Sequence, residues 1–209
     1  MALADCARCS GKWCNPDVPV DETPDLCPRR LAPGPLAEAD RIRSEDPAVK
    51  RIDEVAASVE SDGYRIWPRV QELIEFSNRL NMRRIGIGFC VGLRKETQSL
   101  VEILESHGFE VATVACTVNR GCNPVGQAQV LNAMGVDLYV VMGLCLGHDA
   151  LFTQFAEGPV TTLVVKDRVT CHSPVGPLLS RYWLKTLVKV SLPRNNHTLH
   201  DPRAGAPAE

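Results

Sequence analysis

From residue 84 onward the chain repeats a pattern that few folds accommodate: short, almost uninterrupted apolar runs, rich in β-branched residues, separated by amphipathic stretches. The runs are "RRIGIGFC", "FEVATVAC", "DLYVVMGLC" and "VTTLVVKD". A strand covered on both faces must be apolar throughout, the condition of parallel strands flanked by helices. The intervening stretches carry helix end signals. "ETQSLVEILESHG" stops at Gly108, a residue suited to the left-handed C′ position. "NPVGQAQVLNAMG" offers Asn123 as N-cap and Pro124 at the first helical position, with Gln127, Val130, Leu131 and Met134 on one face. "DALFTQFAEG" is expected to start at Asp149, and "SPVGPLLSRYWLKTLVKV" at Ser173. Such alternation demands right-handed crossovers, so the expected fold is α/β: a Rossmann-like, doubly wound, mainly parallel sheet.

Two helices are expected before the sheet. Pro47 opens one, with Val49, Ile52, Val55, Ala56 and Val59 as its apolar stripe. Pro68 opens the other, with Val70, Leu73, Ile74 and Leu80 facing inward. Residues 1–36 are rich in Cys, Pro and Asp without periodicity, and "LAPGPLAEAD" reads as a linker because Pro33 and Pro35 resist regular structure. The expected organisation is a Cys-rich metal-binding segment over 1–36, an α/β domain over 37–192, and a flexible tail over 193–209.

Nine cysteines accompany this pattern, and the chain starts "MALADC", with no basic n-region. A cytoplasmic, reducing setting is therefore expected, where clustered thiols serve as metal ligands or redox groups rather than disulfides. The formal net charge of −2 and the lack of a Lys/Arg cluster argue against nucleic acid. No apolar run approaches the ~18 residues of a membrane span.

The thiols fall into two sets. Cys6, Cys9, Cys14 and Cys27 follow C-x2-C-x4-C-x12-C. The two-residue gap lets two thiolates grip one metal, and the later two complete four-coordination. Such a segment buries too little apolar surface to fold alone, so a metal would be its core. Its uneven spacing and terminal Cys-Pro favour an iron–sulfur cluster, with zinc as the alternative. The second set comes from the strand reading. Cys90, Cys116 and Cys145 end the first three strands, Cys122 precedes the Asn123 cap, and Cys171 lies past the fourth strand. All these strand ends share the edge where open parallel sheets bind ligands. A lone buried cysteine is ordinarily a small hydrophobe. Thiols on four strand-end loops instead indicate a shared site.

Polar residues join the same edge: Arg94, His148, Lys166, Asp167, Arg168 and His172. A strand running into Lys-Asp-Arg suits a small anionic substrate or a proton relay. The plainer readings are an exposed ion-paired loop for Lys166, Asp167 and Arg168, and a helix cap for Asp149. "GIGFCVG" is one residue off the dinucleotide fingerprint, and its first two glycines lie inside the strand.

The stretches "CVGL", "CNPVGQAQVLN", "GLCLGHDALF" and "VVKDRV", with the N-terminal cysteine run, resemble a prokaryotic family of unknown function that carries a metal-binding label. The resemblance implies metal ligation by Cys6, Cys9, Cys14, Cys27, Cys90, Cys116, Cys122 and Cys145, and implies no reaction. The resulting expectation is a metal-binding protein with [4Fe–4S] clusters, acting as a small redox or sulfur-handling enzyme. It would use Arg94, His148, Lys166, Asp167 and Arg168 toward substrate and draw electrons from a redox partner protein. The alternatives are a non-enzymatic zinc-trafficking or sensing protein, and an enzyme using Cys90 or Cys145 as a metal-free nucleophile.

Overall fold

The computed structural model describes residues 3–9 and 14–189, and the tail expected from Pro193 lies outside the described residues. The chain divides into two compact units, Met1–Met82 and Arg83–Glu209.

The first unit holds four α-helices among its described residues: α1 (Pro28–Leu31), α2 (Pro33–Glu45), α3 (Pro47–Gly63) and α4 (Arg69–Arg79). The expected linker "LAPGPLAEAD" is helical instead. Pro33 and Pro35 fall in the first turn of α2, where a missing N–H costs nothing because no intrahelical acceptor exists for it. Asp46 caps α3, its carboxylate accepting from the amides of Ala48 and Val49 at 2.9 and 3.2 Å. Val55 and Val59 on α3 and Leu73 and Ile74 on α4 are buried, in line with the apolar stripes. Before α1, arginine forks tie the chain together. Arg29 donates to the carbonyls of Asn15 and Val18, and Arg30 to the carbonyl of Thr23 and the carboxylate of Asp25.

The second unit is built on four parallel strands, β1 (Arg84–Phe89), β2 (Glu110–Ala115), β3 (Leu138–Met142) and β4 (Val160–Val164), in the order β2-β1-β3-β4. This is the expected Rossmann-like α/β architecture. Helices α5 (Arg94–Ser106), α6 (Pro124–Ala133) and α7 (Leu146–Phe155) make the crossovers. The chain steps from β1 to β2 in one direction and then back across β1 to β3. Right-handed connections therefore place α5 on one face and α6 and α7 on the other. The glycines of β1 agree with this. A side chain at Gly86 would meet Leu131 and Val136 beside α6, and one at Gly88 would run into the Phe152 ring on α7. Both lie inside the strand, as expected, and their role is to admit helices close to the sheet.

The reversal between β1 and β3 is the topological switch point, which opens a crevice at the carboxyl ends of the strands. Two helix boundaries depart from expectation. Gly143 takes φ +63° just after β3, so α7 starts at Leu146 with Cys145 as N-cap, and Asp149 falls inside the first turn. The stretch from Ser173 forms two helices, α8 (Gly176–Leu179) and α9 (Arg181–Lys189), rather than one. Ser180 separates them in extended conformation, its hydroxyl accepting from the Trp183 amide at 3.5 Å. Among the described residues, no helix is long and apolar enough to cross a membrane.

Candidate functional site: a string of thiols at the strand ends

Strand register brings the first two thiols together. Phe89 pairs with Ala115 in the parallel ladder, so the next residues, Cys90 and Cys116, lie side by side on one face. The ladder continues through them. The Cys116 amide donates to the Phe89 carbonyl at 2.8 Å, and the Cys90 amide to the Met142 carbonyl at 3.1 Å. Both side chains are buried, 8% and 3% exposed, in the cluster that includes Val114, Leu131, Leu144 and Phe152. Gln127 on α6 fixes the two strands here. Its amide nitrogen donates to the carbonyls of Phe89 and Val114 at 3.1 and 2.6 Å, while its own oxygen, fully buried, has no partner.

A tight loop delivers the third thiol. The Asn123 amide closes the loop on the Cys116 carbonyl at 2.7 Å, with Arg120 and Gly121 both at positive φ. Exposed Cys122 thereby sets its sulfur 4.0 Å from Cys116 Sγ. The Asn123 carboxamide caps α6 as expected, accepting from the Gly126 amide at 2.8 Å.

The charges around these sulfurs differ. Burial raises the Cys90 pKa, but the Lys166 ammonium bonded to its sulfur, the Gly92 amide and the Cys116 thiol outweigh it, and the net shift is downward. Cys116 moves the other way. Burial pushes its thiol up, and the negative charge of Cys90 adds to that, against a lowering bond from the Val91 amide at 3.5 Å. The two thiols are thereby driven apart in acidity, Cys90 being the more acidic of the pair.

Two residues beyond Lys166, Arg168 lies 3.7 Å from the sulfur of half-buried Cys145. Asp167 between them serves the loop. Its carboxylate accepts from the amides of Val169 and Thr170 at 2.9 and 3.1 Å, and these bonds, with the Thr170 hydroxyl foremost, hold its pKa low. His172 serves the same loop, its Nδ1 accepting from the Asp167 amide at 3.1 Å. Cys171 is exposed, at φ +52°, in that loop. Arg94 opens α5 away from the thiols. It lines a groove of about 570 Å³ on the α5 face of β1 and β2, with Gln98, Glu102 and Thr113.

Asp149 is the residue whose part the sequence concealed. Being in the first turn of α7, it caps nothing, and its Oδ1 is buried with no hydrogen-bond partner. Burial raises its pKa, while nearby His148 and Lys166 pull it down in part. Gln127 was legible as a buried helix position, but its strand-bridging bonds depend on the β1–β2 register.

In the first unit, Cys6, Cys9 and Cys14 are exposed and Cys27 is half-buried, and residues 10–13 between them lie outside the described residues. None of the nine cysteines is in a disulfide. Among the described residues, no three Cys, His, Asp or Glu side chains gather in a metal-ligating group.

The chain is 41% identical over 157 residues to an uncharacterised protein of Methanocaldococcus jannaschii, MJ0455, an alignment covering 66% of this chain and 81% of that one. No solved structure matches it. The model of the family described as "Protein of unknown function (DUF1847)" matches residues 28–121 and 117–163, a span containing Cys90, Cys116, Cys122 and Cys145. The chain belongs to that family.

Proposed function

We propose that this chain is a small sulfur-handling redox enzyme whose nucleophile is the Cys90 thiolate. The observation that carries the reading is the Lys166 ammonium on the Cys90 sulfur, with Cys116 beside it on the paired strand. A thiolate so held is nucleophilic near neutral pH, and the adjoining thiol is placed to receive what it binds. At 8% exposure Cys90 admits a small reagent rather than a protein disulfide. The fitting substrate is a small anionic persulfide, drawn in by Lys166 and Arg168. Cys90 attacks the outer sulfur of R–S–S⁻, the S–S bond breaks, RS⁻ leaves, and Cys90 carries the persulfide.

The test is exposure of the full-length Cys116→Ser protein, in which no neighbouring thiol can displace the bound sulfur, to cysteine persulfide, followed by peptide mass spectrometry. One added sulfur atom is expected on the Cys90 peptide, and is expected to be lost in Cys90→Ser. Thiolate ultraviolet absorbance, taken as the difference from Cys90→Ser, should titrate below the ~8.5 of a free thiol. Lys166→Met should move that midpoint up. An unmodified Cys90 peptide would sink the proposal.

A second reading is favoured by the donor set. Cys90, Cys116, Cys122 and Cys145 are soft sulfurs at one edge, chemistry suited to a thiophilic metal or an iron–sulfur cluster. These residues would hold it, with Lys166 moved off Cys90, and Cys6, Cys9, Cys14 and Cys27 would hold a second group. Bound there, a cluster would supply electrons or a Lewis-acidic iron. Iron and sulfide in oxygen-protected protein, lost in Cys90→Ser and Cys145→Ser, is the result expected on this reading. Colourless protein with reactive thiols is the result expected on the first.

A further inference from the structure

The thiols form a line that runs from the interior to the surface. Cys90 and Cys116 are buried neighbours just past the paired ends of β1 and β2, Cys116 and Cys122 are 4.0 Å apart, and Cys122 is exposed. The Val91 amide, on the residue following Cys90, holds the central sulfur at 3.5 Å. An S–S bond between them would close that 4.0 Å gap to ~2 Å. The loop joining Cys116 and Cys122 is pinned at its ends by the 2.7 Å bond between Asn123 and Cys116.

We infer that Cys116 and Cys122 are a resolving dithiol that releases the Cys90-bound sulfur as hydrosulfide and carries the oxidation to the surface. This rests on the persulfide reading above. Cys116 attacks Cys90 Sγ as its thiol proton passes to the outer sulfur of the Cys90 persulfide. The bond to the outer sulfur breaks, that sulfur leaves as HS⁻, and a Cys90–Cys116 disulfide forms. Cys122 then attacks Cys116 Sγ, which returns Cys90 as thiolate and leaves a Cys116–Cys122 disulfide. Two equivalents of a low-molecular-weight thiol R′SH, entering at exposed Cys122, reduce that disulfide and depart as R′SSR′. In sum, one RSSH and two R′SH give one RSH, one hydrogen sulfide and one R′SSR′, with one sulfane sulfur reduced by two electrons.

The arrangement assigns each thiol a separate defect. With reduced full-length protein, one equivalent of cysteine persulfide and no added thiol, wild type is expected to release stoichiometric sulfide. Its non-reduced peptide map should show Cys116–Cys122. Cys122→Ser should still release sulfide but stop at Cys90–Cys116. Cys116→Ser should hold the Cys90 persulfide and lose at least ~tenfold in sulfide release, the scale of removing a reacting group. Sulfide release at the wild-type rate from Cys116→Ser would overturn the relay. So would a Cys122→Ser protein without a Cys90–Cys116 bridge, even with Cys90 persulfidated. An unmodified Cys90 in Cys116→Ser, with no sulfide released by wild type, would instead overturn the persulfide reading. The wild-type map decides the matter without variants should either substitution impair folding, because a disulfide elsewhere than Cys116–Cys122 rejects the relay.

Discussion

Asp149 spends stability at the site. Its Oδ1 is buried without a partner in the first turn of α7, and burial lifts its pKa above the ordinary value. A carboxyl group whose folded pKa exceeds its unfolded one favours the folded state least when ionised. The penalty is absent below the unfolded value of ~3.9 and complete above the folded one. Asp149→Asn should therefore raise Tm at about pH 7 and have a smaller effect near pH 4, which thermal melts at the two values would check. An unchanged pH-dependence would mean that the carboxylate is solvated. Reading the residue as a cap fails for a physical reason. The left-handed turn at Gly143 starts α7 three residues before Asp149, and a turn of that kind leaves no periodic signal. The cysteines were easier. Their type, and their position at the ends of apolar runs, were visible before any geometry.

At the scale of elements, period was a good guide wherever burial enforced it. All five residues of β3 are buried, as its unbroken apolar run requires. The Asn123 cap and Pro124 start of α6 are in place because capping is local chemistry. Reading failed where prolines have two meanings, as in α2, which begins with the pair expected to prevent it. The glycines of β1 show what such a reading omits. Gly88→Ala would thrust a methyl group into the Phe152 ring, an overpacking that costs about 1–3 kcal/mol. A lower urea midpoint at unchanged m would establish it. Gly86→Ala should cost less, since its nearest contact, a Val136 methyl at 2.8 Å, overlaps less than the Phe152 ring does at Gly88.

For the molecule as a whole, strand order creates the site. Cys90, Cys116 and Cys145 are far apart in sequence, and only the order β2-β1-β3-β4 with its parallel register places them at one edge. The alternation of elements made that edge legible in outline. Which cation would meet which sulfur was not, because that depends on the path of the chain beyond β4. The same order makes β1 and β3 the interior strands, each paired on both sides. Amide hydrogen exchange should be slowest in Ile85–Phe89 and Leu138–Met142 and faster in β2 and β4, where one edge is open. Equal protection across the four strands would contradict the pairing.

Lys166 and Arg168 are separated by one residue, yet each reaches a different sulfur. The segment leaving β4 therefore works as a ruler graduated in residues. Sliding or lengthening it would displace both cations at once, whereas replacing one cation would disturb one thiol. Variation here is consequently freer in residue type than in length: a one-residue insertion uncouples two reactive groups, and no single substitution does the same.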